Sequence, residues 1–162
     1  MSDHVVRLIV NGSAVEETVP ARLTLADLLR ERLDVTSVHL GCEHGACGAC
    51  TVLLDGEPVR ACLQLAVQAD GAAIRTLEGV VAPDAPLHPV QQAFWEKHGL
   101  QCGFCTPGIV MSTLELLERE SHPSREAVGE MLSGHVCRCT GYIKIFEAVE
   151  EAANILAGGR PQ

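Results

Sequence analysis

The first half of the chain carries runs of apolar and β-branched residues, a pattern that favours strands. Two pairs of these runs flank the dipeptides Asn11-Gly12 and Asp55-Gly56, which are typical of tight hairpin turns. A further short run precedes residue 80. The predicted strands are Val5–Val10, Ala14–Val19, Thr51–Leu54, Glu57–Cys62 and Ala73–Leu77.

One helix is predicted between the two hairpins. Thr24 is a natural N-cap because its hydroxyl can accept a hydrogen bond from a free amide of the first turn. The leucines that follow it share one helical face, at Leu25, Leu28, Leu29 and Leu33. Two hairpins packed across one helix indicate a small α+β sheet domain, which we assign to residues 1–79.

Residues 80–89 contain three prolines and are predicted to link two domains. Beyond them the apolar period becomes helical, with Val110, Leu114 and Leu117 on one face. The predicted helices are Pro89–His98, Pro107–Glu120, Ser124–Leu132 and Gly141–Leu156. They predict a four-helix bundle over residues 90–162.

Charge and composition exclude several classes of protein. The net charge is −9, which disfavours binding to phosphate backbones, and aromatic residues make up 3% of the chain, so base-stacking platforms would be hard to build. Nucleic acid is therefore not an expected partner. No run approaches the roughly 20 apolar residues that span a bilayer. Residues 1–10 show no targeting pattern, so we expect a cytoplasmic protein.

The first of two cysteine sets lies in the sheet domain. Cys42, Cys47 and Cys50 are spaced C-x4-C-x2-C, and Cys62 follows them. This is the plant-type ferredoxin spacing for a 2Fe–2S cluster. Glycines in the Gly41–Cys50 segment let the backbone curl so that its N–H groups face anionic sulfur.

The second cysteine set lies in the helical half. Cys102 and Cys105 form C-x2-C, and Cys137 and Cys139 form C-x-C. The fragments Cys-Thr-Pro and Cys-Thr-Gly each precede a predicted helix, and each threonine is expected to be its N-cap. Helix N-termini favour anions, so this set also suits a four-thiolate cluster.

Other uses of the cysteines are weighed against these. Disulfides suit small secreted chains without a core, which this chain does not resemble. Zinc held by four thiolates remains an alternative for the second set. Cys42 and His44 suggest half of a Rieske site, but Thr51 follows Cys50 where a second histidine would be needed. We therefore expect His44 to be a solvated loop residue.

Three stretches of the sequence resemble one known family. They are GCEHGACGACT at Gly41–Thr51, QCGFCTPG at Gln101–Gly108 and CRCTGY at Cys137–Tyr142. These segments are similar to the small iron–sulfur subunits of the xanthine oxidase family of molybdenum hydroxylases, which includes the carbon monoxide dehydrogenase small subunit and the 4-hydroxybenzoyl-CoA reductase gamma subunit. The resemblance implies an N-terminal β-grasp, plant-type ferredoxin domain followed by a four-helix bundle. It also implies that all eight cysteines bind iron, in two 2Fe–2S clusters.

The resemblance also implies a function and partners. A large subunit would carry molybdopterin, as its cytosine dinucleotide, and a medium subunit would carry FAD, in a heterotrimer or a dimer of heterotrimers. This chain would relay electrons between them as part of an oxidoreductase and would have no substrate site. In this family, the residues at the positions of Gln101 and Cys139 approach the pterin.

Two other functions stay open at this point. A free-standing two-cluster ferredoxin would use its acidic surface to dock on basic redox partners. The helical domain would then have no evident purpose, because a simple carrier needs little beyond the first domain. A zinc-binding interaction module would use the second cysteine set alone and would be colourless, whereas iron–sulfur clusters make a protein brown.

Overall fold

The computed structural model describes residues 3–158. Its strands are β1 Asp3–Val10, β2 Ser13–Pro20, β3 Thr51–Leu54, β4 Glu57–Arg60 and β5 Ala73–Arg75. They form one mixed sheet in the order β2-β1-β5-β3-β4. Strands β1 and β5 are parallel, and the other neighbours are antiparallel.

The two predicted hairpins are confirmed, and their turn residues explain them. Asn11 and Gly12 have φ values of 50° and 82°, and Asp55 and Gly56 have φ values of 51° and 90°. Two successive residues with positive φ form the type I′ turn, whose twist matches that of the flanking strands. Asn, Asp and Gly tolerate this backbone better than other residues, so the sequence fixes both turns locally.

Helix α1 covers one face of the sheet. Its α-helical part, Leu25–Asp27, continues as a π-helical turn over Leu28–Arg32. The Thr24 hydroxyl accepts a hydrogen bond from the Asp27 amide at 3.1 Å, as the sequence predicted. The core between helix and sheet includes Val6, Leu8, Val19, Leu25, Leu28, Leu29, Val38, Val52 and Ile74.

Four helices form the second half: α2 Pro89–Glu96, α3 Thr106–Arg119, α4 Arg125–Ser133 and α5 Ile143–Leu156. Their apolar faces enclose a second core, which includes Phe94, Ile109, Met111, Leu114, Val128, Leu132, Ile145 and Val149. The predicted bundle and the α+β class are confirmed.

The two predicted threonine caps are wrong. Thr106 is the first residue of α3, and Cys105 is the N-cap. Helix α5 starts only after Tyr142, which has a φ of 68°. The Thr140 hydroxyl instead accepts from the Tyr142 amide at 3.1 Å and so stabilises the turn that leads into the helix. A local tight turn therefore takes the hydrogen bond that was expected at the helix end.

The sheet and the bundle share buried surface. Leu53 of β3 belongs to the bundle core and is 2% exposed. Gly108 of α3 lies directly against the carbonyl of Gly48, where a Cβ would collide with the backbone. The chain crosses between the two parts through a 3-10 turn, Leu77–Gly79, and a segment without helix or strand up to residue 88.

Two sequence-based expectations concern the ends of the chain and membranes. The predicted domain limits at residues 1 and 162 lie outside the described residues. Within residues 3–158, no helix has the length and apolar character needed to cross a membrane.

Candidate metal centres

The first cysteine set is brought together by a loop and a strand end. Residues 41–50 form a loop between α1 and β3, and Cys62 follows β4. Cys50 and Cys62 are buried, whereas Cys42 and Cys47 are partly exposed. The Cys47 amide points at the sulfur of Cys42, with an N–Sγ distance of 3.4 Å. The first set therefore has a buried, inner pair of thiols, Cys50 and Cys62, and a partly exposed, outer pair, Cys42 and Cys47.

Loop amides favour a thiolate at the outer position. Hydrogen bonds from the amides of His44 and Cys47 lower the pKa of Cys42 to about 6. At the inner position, burial raises the pKa of Cys50 to about 11. Iron binding requires thiolates, so Cys50 would have to lose its proton to hold a cluster here.

A second set forms at one end of the bundle. Cys105 is the N-cap of α3, and Cys102 lies just before it. Cys137 and Cys139 lie between α4 and α5. Cys105 and Cys137 are buried, and Cys102 and Cys139 are exposed. The exposed sulfurs are 3.5 Å apart, so the structure brings together the two pairs that the sequence separates.

The electrostatics of this set repeat those of the first at Cys102 and Cys105 and are reversed at Cys139 and Cys137. The Phe104 amide and the Cys139 thiol donate to the sulfur of Cys102 and lower its pKa, and the pKa of Cys139 is raised in return. Burial raises the pKa of Cys105 to about 12. Burial also opposes ionisation of Cys137, but the Thr140 hydroxyl, 3.2 Å from its sulfur, and the Thr140 amide lower the pKa of Cys137 overall.

Tyr142 holds the backbone in front of Cys137. The Cys137 amide donates to the tyrosine oxygen at 2.9 Å, and the tyrosine hydroxyl donates to the carbonyl of His135 at 3.0 Å. The ring can reach back because Tyr142 has a left-handed backbone conformation. One side chain thus closes the loop that carries two cysteines.

The loop of the first set touches both loops of the second. The Val136 amide donates to the carbonyl of Cys47 at 2.9 Å. On the other side, the Cβ position of Gly41 lies 3.1 Å from the Phe104 ring. His39, two residues before the loop, stacks on the same ring with centroids 4.9 Å apart, and its Nδ1 lies 2.7 Å from the Phe104 carbonyl oxygen. The two cysteine sets are therefore held in one continuous structure.

Two functional candidates near this contact were missed by the sequence reasoning. Arg60 bonds the Thr51 hydroxyl and the carbonyl of Gly134, each at 2.6 Å. His135 is 3% exposed, and burial together with Arg60 lowers its pKa to about 4. Neither residue belongs to a motif or an apolar period, so only spatial proximity identifies them.

The other predicted site residues lie at the surface. Gln101 is exposed next to Cys102. His44 is exposed and hydrogen-bonded to the carbonyl of Cys42. Within residues 3–158, no group of three or more His, Cys, Asp or Glu side chains is arranged to hold a metal ion. The fit to iron–sulfur clusters rests instead on the all-thiol donor sets and on the amides aimed at the sulfurs of Cys42 and Cys102.

Two protein families match the chain, one over the sheet domain and one over the helical domain. Residues 8–76 match the 2Fe-2S iron-sulfur cluster binding domain family. Residues 76–150 match the 2Fe-2S binding domain family. Each match contains one cysteine set. The chain is therefore a two-domain iron–sulfur protein, with a ferredoxin-like domain followed by a helical one.

Individual relatives show to which group of iron–sulfur proteins the chain is similar. The chain is 53% identical over 156 residues to the caffeine dehydrogenase subunit gamma of Pseudomonas sp. (strain CBB1), covering 94% of this chain and 93% of that protein. It is 55% identical over 143 residues to the nicotine 6-hydroxylase small subunit of Paenarthrobacter nicotinovorans, covering 88% and 86%. The structure of quinoline 2-oxidoreductase from Pseudomonas putida 86 matches with a TM-score of 0.91 at 42% identity, covering 97% of this chain and 98% of that chain.

These findings establish the family. The chain belongs to the small iron–sulfur subunits of molybdenum hydroxylases, as the sequence motifs predicted. It is an electron-transfer subunit of an oxidoreductase.

Proposed function

We propose that this chain relays electrons between a molybdopterin site on a large subunit and FAD on a medium subunit. The observation that carries the proposal is that each cysteine set has a buried pair and a more exposed pair, while the two sets touch through their loops. Such a chain can accept an electron at one surface and deliver it at another. Each 2Fe–2S cluster supplies a centre that takes up and releases one electron.

The ligands are proposed to be the eight cysteines. Cys42, Cys47, Cys50 and Cys62 would hold the cluster of the sheet domain, and Cys102, Cys105, Cys137 and Cys139 would hold that of the bundle. The protein's own residues bind the irons, direct amides at the sulfurs and keep water from the buried pair. Hydrogen bonds to sulfur and burial are the means by which a protein sets a cluster's potential.

The surface around the bundle set supports docking of the large subunit. Phe104, Val136 and Ile143 are large apolar residues that are 47%, 57% and 63% exposed. Gln101 and Cys139 are exposed as well, and we propose that they approach the pterin, carried as its cytosine dinucleotide. Apolar residues exposed beside a polar amide suit a buried interface between subunits.

The surface beside the first set supports a second docking site, for the FAD subunit. Leu63 is 60% exposed and lies against Gly45 of the cysteine loop. A heterotrimer, or a dimer of heterotrimers, would use both surfaces of this chain. We place the complex in the cytoplasm, where thiols stay reduced and available to iron.

Native affinity purification of this chain tests the proposal. We expect a stoichiometric large partner with molybdenum, a flavin-containing partner and about four irons per copy of this chain. Recovery of the chain alone, brown and with about four irons, would instead establish a free-standing ferredoxin. A colourless protein carrying zinc would exclude both.

The pterin contact has its own test in the purified complex. Gln101→Ala removes one exposed amide and no sulfur, so we expect both clusters to remain while pterin content or turnover falls. The matched control is Gln92→Ala, because Gln92 lies on α2 and bonds only Glu96 among the side-chain partners described. Unchanged pterin content and turnover in Gln101→Ala would contradict the contact.

A further inference from the structure

A closed ring of contacts joins the two cysteine loops. In the sheet domain, the Thr51 hydroxyl donates to the carbonyl of Gly48 at 2.6 Å. Arg60 donates with one nitrogen to Thr51 and with the other to Gly134, which is 74 residues away in sequence. Gly134 is followed by His135, whose imidazole packs against Gly48. The ring thus closes across the two domains.

The contact between Gly48 and His135 leaves no space. A Cβ on Gly48 would lie 2.5 Å from the carbonyl oxygen of Gly134 and in collision with Nδ1 of His135. On its other side, His135 is fixed by the Ser112 hydroxyl, 2.8 Å from Nε2. Nδ1 has no hydrogen-bond partner among the described residues. The imidazole of His135 is therefore held by packing and by Ser112, in the narrow space between the two domains.

These contacts lie beside the shortest link between the cysteine sets that the described hydrogen bonds provide. The Cys47 carbonyl accepts from the Val136 amide at 2.9 Å, and Val136 is bonded directly to Cys137. Gly48 and His135 are the chain neighbours of Cys47 and Val136. Anything that holds Gly48 against His135 therefore also holds this hydrogen bond.

We propose that Arg60 is a positioning residue for electron transfer between the two clusters, because its two hydrogen bonds lock the Gly48 turn onto the 134–136 segment. Arg60 touches neither cysteine set through a hydrogen bond and acts through Thr51 and Gly134. The planar guanidinium is suited to this role because it donates to two acceptors at fixed spacing. Tunnelling rates fall exponentially with distance, so a small separation of the loops slows transfer. The inference rests on the proposed relay function.

Arg60→Met tests it in the full chain with both clusters loaded. Met has a similar length and no donor, so the two bonds are lost while the volume is kept. We expect about four irons per chain. We also expect a weaker magnetic interaction between the two reduced clusters in low-temperature EPR. Electron transfer between the clusters should slow several-fold, because the tunnelling rate falls as the two loops separate.

Two further variants make the test specific. Arg30→Met is the matched control, because Arg30 also donates two hydrogen bonds, in its case to the backbone carbonyls of Thr36 and Val38, entirely within the sheet domain. It should leave the interaction between the clusters unchanged. Arg60→Lys keeps the charge and can serve only one of the two acceptors well, so it should give an intermediate interaction.

The outcomes separate this inference from the proposed function. An unchanged EPR interaction in Arg60→Met, or an equal loss in Arg30→Met, overturns the positioning role. If Arg60→Met fails to load iron, the same EPR measurement on Arg60→Lys and Thr51→Val tests the positioning role. An unchanged magnetic interaction between the clusters in both variants overturns it. The measurement needs no partner subunit, so a failed co-purification would overturn the relay between subunits and leave this result standing.

Discussion

The sulfur of Cys137 lies in the loop that Tyr142 and Thr140 hold in place. Replacing Cys137 with Ser exchanges a soft thiolate for an oxygen that binds iron poorly. We expect Cys137→Ser to lose the bundle cluster, to keep the sheet-domain cluster and to fall from about four to about two irons per chain. EPR of the reduced protein should then show one signal.

The reverse variant is the control for this prediction. Cys62→Ser should lose the other signal and keep the one that Cys137→Ser loses. The ligand assignment would be wrong if Cys137→Ser retained both signals and its full iron content.

Gly48 is the second test at the scale of a residue. Its φ is 76°, and a Cβ would meet Gly134 and His135. Gly48→Ala should therefore add a collision to the roughly 1–2 kcal/mol cost of a left-handed backbone for other residues. We expect a loss of unfolding free energy clearly larger than that, measured by anaerobic chemical denaturation, and a changed EPR signal for the sheet-domain cluster.

Gly12 provides the comparison for Gly48. Its φ is 82°, but no atom lies within 4 Å of its Cβ position. Gly12→Ala should show only the backbone cost of roughly 1–2 kcal/mol. Equal losses in the two variants would mean that the contact with His135 does not constrain the loop.

At the scale of an element, helix α2 has a histidine, His88, as its N-cap, and the imidazole can take up a proton. Nδ1 of His88 accepts from the Val90 amide at 3.2 Å. Burial, followed by the charge of Arg75, lowers the pKa of His88, while Glu118 opposes the shift. Below the ordinary histidine pKa of about 6.5, the unfolded chain binds a proton that the folded chain resists. Stability therefore falls as the pH drops through this value.

His88→Asn keeps a good cap that does not titrate. We expect the variant and the parent chain to have similar stability at about pH 8, and the variant to be the more stable at about pH 5.5. The fluorescence of Trp95, which lies on α2 and is the single tryptophan, reports the unfolding. A difference between the two proteins that does not change with pH would contradict the cap's role.

At the scale of the whole molecule, β3 belongs to two cores. Leu53 is buried in the bundle core, and its neighbour Leu54 packs against the core of the sheet domain. Leu53→Ala should lower the unfolding free energy by about 2–5 kcal/mol, as is usual for a buried leucine. The change should appear in the fluorescence of Trp95, although Trp95 is in the other domain.

Leu54→Ala makes the same chemical change at the adjacent position of β3 and is the control. Because Leu54 is less buried and faces the other core, its effect on the Trp95 transition should be smaller. An unaltered Trp95 transition in Leu53→Ala would show that the sheet does not stabilise the bundle.

The sequence by itself determined the hairpins, the helices and both cysteine sets. Turn pairs such as Asn11-Gly12, the apolar period of α3 and the C-x4-C-x2-C spacing are local signals, because φ values, helix faces and loop ligands depend on residues close in sequence. The same locality identified the family, since its motifs are short and contiguous.

The tertiary structure alone decided how these parts meet. Arg60 reaches a carbonyl 74 residues away, and His135 is buried although no pattern in its own segment requires it. Helix α5 begins at Ile143 rather than at the predicted Gly141. Tyr142, just before it, reaches back to the 135–137 segment, a contact that no capping rule anticipates. The contacts of Arg60 and His135 with the other domain form only once the sheet and the bundle have packed together, so their partners are set by the geometry of the fold rather than by spacing along the chain. Those of Tyr142 lie within one loop and depend on its left-handed backbone conformation.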